Sequence, residues 1–134
     1  MNAQMIWDGK MGFTASGNTG HLVKVDVDAD VGGSDSGARP MELLLFGLGG
    51  CSGADVVSIM RKMHQDLGKL TISIIAEQAP EHPKRFTDIH MIYRMNGMNL
   101  DSEKAKHAIE LSQTKYCSAA GSLNAKITFE LIIE

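Results

Sequence analysis

The chain of 134 residues is long enough for one ordinary domain with its own core, and nothing in its length asks for a second. Its 13 basic and 16 acidic residues leave a formal net charge of −3, which offers no positive field to nucleic acid phosphates or anionic lipid. The start of the chain lacks a basic, then apolar leader, no stretch is expected to reach the roughly 20 apolar residues that cross a bilayer, and two cysteines are too few for a secreted disulfide scaffold. A cytoplasmic protein of one domain, residues 1–134, is expected, with no nucleic acid or membrane partner.

The first 30 residues read as three strands. Alternation is clearest from His21 to Asp28, where Leu22, Val23, Val25 and Val27 interleave with Lys24, Asp26 and Asp28, as in a half-buried antiparallel strand. Glycines at 9, 12, 17 and 20, with Asn18, punctuate the region at hairpin intervals. The Gly-, Ser- and Asp-rich segment from Val31 to Arg39 reads as a mobile loop ending at Pro40.

Pro40 suits the first turn of a helix, where its missing N–H would lack a partner anyway, and Glu42 follows in the favourable first turn. The pattern predicts a helix as far as Leu67, stopped by Gly68. Its first half, Leu43 to Cys51, has no polar face and is expected to be buried on all sides. Its second half sets Val56, Ile59, Met60 and Met63 against Arg61, Lys62, Gln65 and Asp66. Gly47, Gly49, Gly50 and Gly53 each weaken a helix interior by about 1 kcal/mol relative to Ala, so they imply either close approach of a neighbouring element or a break near Gly49 and Gly50.

Leu70–Glu77 and Phe86–Met95 read as strands joined by a turn at Pro80–Pro83. Asp101 is a good N-cap for a second helix with Ala105, Ile109, Ser112 and Tyr116 at helical spacing and Cys117 at its end. Ala125–Ile133 alternates as a final strand. The order β-β-β-α-β-β-α-β defines an α+β fold.

Cys51 lies in the most apolar helix among glycines that leave its sulfur little shielded, which makes it a candidate nucleophile; a lone cysteine in such a helix is otherwise a small hydrophobe. Cys117 precedes Ser118–Leu123 and so is placed at the N-terminus of a short helical turn, where the local dipole favours thiolate. Apolar surroundings disfavour a thiolate at Cys51, and an ionised Asp55 one turn later on the same face disfavours it further. A basic partner is therefore required, and Arg39, Arg61, Lys62, Lys84 and Arg85 are all candidates by sequence. The five histidines are scattered, with no His or Cys pair at metal-ligand spacing, so no metal site is read. The glycine-rich loop before Pro40 matches no phosphate-binding pattern. The nine methionines read as fillers of irregular core gaps.

Pro40-Met41-Glu42-Leu43, Gly49-Gly50-Cys51 and Lys115-Tyr116-Cys117-Ser118 resemble the two cysteine motifs of the OsmC/Ohr family of osmotically induced and organic hydroperoxide resistance proteins. Asp55-Val56-Val57 after the first cysteine, and Lys-Tyr before the second, are similar to the family's YhfA-like branch. The resemblance implies an intertwined homodimer with central buried helices and two sites near the subunit interface. It further implies Cys51 as the peroxidatic thiolate, Cys117 as the resolving thiol, an apolar pocket suited to organic hydroperoxides, no resident cofactor, and an external dithiol reductant, lipoylated or thioredoxin-like. Two departures stand out. The helper glutamate directly after the opening proline is Met41 here, with Glu42 one step on and turned by about 100° around the helix. The helper arginine of the N-terminal strands is absent, leaving Lys10, Lys24 and the later Arg39. The expected function is a thiol peroxidase of oxidative or osmotic stress; the alternatives are a non-enzymatic redox sensor or binder of small apolar or thiol-reactive molecules, or a dimer with inert cysteines.

Overall fold

The computed structural model describes residues Met1–Glu134, which divide into two compact units, Met1–Phe46 and Gly47–Glu134. The α+β class and the order of strands and main helices are those expected from the sequence.

In the first unit, β1 (Ala3–Trp7), β2 (Phe13–Gly17) and β3 (Leu22–Val25) form an antiparallel meander in the order β1-β2-β3. The segment expected to be a mobile loop is instead organised around a buried carboxylate. Asp26, 1% exposed, accepts the hydroxyl of Ser36 at 2.7 Å and the backbone N–H groups of Val27, Ser34 and Ser36. The Ser36 hydroxyl, ahead of the N–H groups, holds this carboxyl well below the usual carboxylate range against the opposing effect of burial.

Helix α1 (Pro40–Lys62) starts at Pro40 as expected. Glu42 reaches back to accept the Arg39 N–H at 2.9 Å, the reciprocal half of a capping box. The helix ends five residues before Leu67, its expected last residue: Met63 and Gln65 still bond to carbonyls of its last turn, but His64 has φ 57°, and β4 (Asp66–Gln78) has already begun at Asp66. A histidine thus takes the left-handed position that was assigned to glycine. Gly68 instead lies at a shift of register in β4, between Leu67 and Lys69.

α1 is 23 residues long and apolar enough by composition to cross a bilayer, contrary to the expectation that no stretch would be. Within the second unit it forms part of a core. Leu48, Ser52, Val56 and Met60 recur every fourth residue as a buried stripe, and the added Cβ of an alanine would lie 3.1 Å from Ile74 Cδ1 at Gly49 and 3.2 Å from Ile72 Cδ1 at Gly53. Those two glycines therefore serve close approach of helix to sheet, and the helix runs on without a break. The expectation of burial on all sides is not met in the single chain: Leu44 is 46% and Phe46 59% exposed.

The second sheet has the order β4-β5-β6. β5 (Phe86–Met98) pairs antiparallel with β4 and parallel with β6 (Lys126–Ile133). The parallel pair requires a crossover, supplied by α2 (Ser102–Leu111), a π-helical turn (Ser112–Tyr116) and α3 (Ser118–Ser122). Asp101 caps α2 as expected, accepting from Glu103 and Lys104 N–H. Ile89, Met91, Tyr93 and Met95 of β5 are buried on one face at period two, and Ala105, Ala108 and Ile109 of α2 are buried with them. Tyr116, placed by sequence on the apolar face of this helix, is 50% exposed because the π turn shifts the helical phase.

Candidate active site

Cys51 is half-buried on α1, and Asp55 lies one turn later on the same helix. Cys117 is buried at the junction between the π turn and α3. Both cysteines are free thiols, and Cys51 Sγ, Cys117 Sγ and a carboxylate oxygen of Asp55 lie within 4.8 Å of one another.

The local structure around Cys117 accounts for its placement. Its N–H bonds to the Ser112 carbonyl at 2.8 Å, the i to i−5 bond of the π turn, and its sulfur accepts the Ala120 N–H at 3.4 Å as the N-cap of α3. The helix-terminus position inferred from sequence is therefore observed. Burial nonetheless pushes the Cys117 thiol up from its ordinary range, and the adjacent Cys51 adds to this, while the N–H groups of Ala120 and Ala119 pull the other way.

Ser112 holds both partners at once: its carbonyl bonds Cys117 and its hydroxyl donates to Asp55 Oδ2 at 3.0 Å. The Ser112 hydroxyl oxygen also contacts Ser52 Oγ at 2.9 Å, Ser52 Oγ lies 2.6 Å from the Tyr93 hydroxyl, and Gln113 Nε2 donates to that hydroxyl at 2.9 Å. Ser52, Tyr93 and Ser112 are all 0% exposed, and no buried side-chain polar atom in the chain is left without a partner. None of these four residues stood out in the sequence as functional. Ser52 and Ser112 do interrupt otherwise apolar stripes at helical spacing, and a hydroxyl at such a position demands a partner.

The candidate helper residues are distributed differently. Arg39 pairs with Asp28 and Asp35 at 2.5 and 2.8 Å, and those carboxylates, Asp28 first, raise its already high pKa. Glu42 serves the start of its helix, and Lys10 lies in the exposed β1–β2 turn, where its carbonyl accepts the Trp7 indole N–H. Lys24 pairs with Asp8. Within the second unit, Arg61 and Lys62 are exposed at the end of α1, and Arg85 bonds to the carbonyls of Phe86 and Asn124. None of the ion pairs in the chain involves Asp55. An open groove of about 820 Å³ runs along α1 and β4, lined by Gly50, Ala54, Val57, Arg61, Leu70 and Ile72 among others; neither sulfur lines it.

Two sulfurs and a carboxylate are also metal-ligand atoms, brought together here from positions too distant in sequence to be read as a set. They are fewer than the four of a closed zinc site, and no histidine joins them.

An antiparallel meander, a long helix packed on a mixed sheet, and two thiols meeting at the end of a crossover define an α+β protein with a dithiol site. A family model described as OsmC-like protein matches residues 33–132, and the chain belongs to that family. It is 33% identical over 120 residues to Protein YhfA of Escherichia coli (strain K12), covering 90% of this chain and 87% of that one. Among solved structures, a hypothetical protein from Aquifex aeolicus VF5 superposes with TM-score 0.81 at 28% identity, covering 99% of this chain and 96% of that one. A putative osmotic stress induced and detoxification response protein from Psychrobacter arcticus 273-4 does so with TM-score 0.83 at 21% identity, covering 100% and 96%.

Proposed function

We propose that this protein is a cytoplasmic, thiol-dependent peroxidase that reduces organic hydroperoxides, with Cys51 as the peroxidatic and Cys117 as the resolving residue. The observation that carries the reading is the meeting of the two sulfurs within 4.8 Å. The Cys51 thiolate attacks the distal oxygen of the hydroperoxide, the O–O bond breaks, and the alkoxide leaves as the alcohol after taking up a proton. Cys51 is then a sulfenic acid. The Cys117 thiol displaces its hydroxyl to form a disulfide and water, and an external dithiol, lipoylated or thioredoxin-like, reduces the disulfide while becoming oxidised itself. No resident cofactor takes part.

The working unit in this proposal is a homodimer. Ile6, Trp7, Leu22 and Phe46 are 60, 61, 72 and 59% exposed in the single chain, which is costly in water and is relieved by a second copy. In this proposal that copy also supplies the positive charge that the Cys51 thiolate needs beside Asp55, whose carboxylate has no ion pair within the chain. The Asp55 carboxylate beside the two thiols, whose charge opposes a thiolate, favours a second reading, a redox sensor or small-molecule binder that is oxidised once and does not turn over.

Purified protein with cumene hydroperoxide and excess dithiothreitol separates the two. Catalytic loss of peroxide that vanishes in Cys51→Ser is the expected result. Stoichiometric oxidation without turnover supports the sensor, and unmodified thiols contradict both.

A further inference from the structure

We infer that Asp55 is the proton carrier of the resolving step, moving the proton of the Cys117 thiol to the hydroxyl that leaves Cys51, and that Ser112, Ser52, Tyr93 and Gln113 are the residues that position it. The inference rests on the peroxidase reading and assigns roles within that site.

A carboxylate beside a peroxidatic cysteine has the wrong sign for the first step, because its charge opposes the thiolate. For the second step its chemistry is right. Condensing a thiol with a sulfenic acid forms one S–S bond, breaks one S–O bond and releases water, with no net change in protons. One proton must nevertheless travel from sulfur to departing oxygen. Asp55 offers an oxygen within 4.8 Å of both sulfurs. It takes the proton as Cys117 attacks, delivers it to the leaving oxygen on Cys51, and returns to carboxylate. Burial, which holds Cys117 as a neutral thiol, is what makes such a carrier useful.

Counting hydrogens along the buried chain shows how Asp55 is held. The Ser112 hydroxyl gives its one hydrogen to Asp55 Oδ2, so its contact with Ser52 must be accepted from Ser52. The Ser52 hydrogen is then committed, and the 2.6 Å contact with Tyr93 must be donated by Tyr93. Gln113 Nε2 donates to the Tyr93 oxygen, with Met91 Sδ as a second neighbour at 3.2 Å. Every hydroxyl therefore points the same way, from Gln113 through Tyr93, Ser52 and Ser112 to the carboxylate. Such a chain polarises each successive donor and favours an acceptor at its end. It leaves the carboxylate anchored through Oδ2. The groups facing Asp55 are Cys51 on its own helix, Ser112 at the end of α2 and Cys117 beyond the π turn, and no charged side chain pairs with it.

The test is a single turnover of reduced protein with one equivalent of cumene hydroperoxide, quenched at intervals into dimedone and an alkylating agent and read by mass spectrometry. Cys117→Ser gives the reference for a persistent sulfenic acid. Asp55→Asn is expected to form sulfenic acid at least as fast as wild type but to close the disulfide about 100-fold more slowly, the usual scale of one general acid–base group. Its closure rate should rise steadily with pH, because hydroxide must now remove the thiol proton, whereas wild type is flat over the same range. Ser112→Ala, which keeps the carboxylate but loosens it, should slow closure in the same sense by a smaller factor, and slow it more than it slows formation of the sulfenic acid. Closure at the wild-type rate in Asp55→Asn, or equal slowing of both steps in both variants, overturns the inference while leaving the peroxidase intact. Absence of thiol oxidation in wild type overturns the peroxidase reading and the inference together.

Discussion

The buried hydroxyl chain makes a prediction about stability that needs no catalytic assumption. Replacing Ser52 by Ala removes two hydrogen bonds, at 2.6 Å to Tyr93 and 2.9 Å to Ser112, in a position with no exposure to water. The Tyr93 hydroxyl hydrogen is left with only Met91 Sδ at 3.7 Å, a weak acceptor. Orphaning one buried polar hydrogen costs about 1–3 kcal/mol, so Ser52→Ala should destabilise the protein by roughly 2 kcal/mol. Tyr93→Phe leaves less stranded, because Ser52 keeps its donation to Ser112 and Gln113 is only half-buried; about 1 kcal/mol is expected. The double variant removes donor and acceptor together and should cost at least about 1 kcal/mol less than the sum of the two. Urea unfolding at one fixed protein concentration measures all four proteins. Additive losses would refute the hydrogen assignments on which the chain depends.

Asp26 predicts a pH dependence in the first unit. Its carboxyl is held below the ordinary range chiefly by the Ser36 hydroxyl, so the stabilisation is present above the unfolded value of about 3.9 and is lost as pH falls below it. The protection of the Ser34 and Ser36 N–H groups, read as exchange relative to an unprotected amide at the same pH, should fall on acidification, and protection that stays constant through that window would contradict the assignment. Asp101→Ala removes the acceptor for two N–H groups at the start of α2 and should lower stability by about 1 kcal/mol in the same urea assay; no change would mean the cap contributes nothing. Gly53→Val pushes a branched side chain against Ile72, whose Cδ1 would already lie 3.2 Å from an added Cβ, and should cost about 1–3 kcal/mol; an unchanged midpoint would show that the helix and sheet are not in close contact there.

Local chemistry was legible wherever it depended on neighbours in sequence. Pro40 opens α1, Asp101 caps α2, Cys117 caps α3, and the strands follow their alternating patterns. The end of α1 was misread because glycine is the usual left-handed residue, whereas His64 takes that conformation and Gly68 is left to a strand irregularity. The parallel pairing of β5 with β6 has no local signature, since alternation in Lys126–Ile133 fits either direction. Exposure of Leu44 and Phe46 shows the limit of equating an apolar segment with burial in its own chain. The site was half legible. Both cysteines and Asp55 could be singled out, but Ser52, Tyr93 and Ser112 are ordinary residues whose significance comes from meeting across three elements. The π turn that aligns Ser112 with Cys117 inserts a phase shift that no regular periodicity announces.

The proposed chemistry requires Cys51 and Cys117 to react with each other. Reduced protein treated with one equivalent of cumene hydroperoxide, alkylated, digested and mapped by mass spectrometry tests this directly. A single cross-linked species joining the Cys51 and Cys117 peptides, formed within one chain, is the predicted result. Oxidation that stops on Cys51 alone with Cys117 still alkylated, or two cysteines left free, would contradict it.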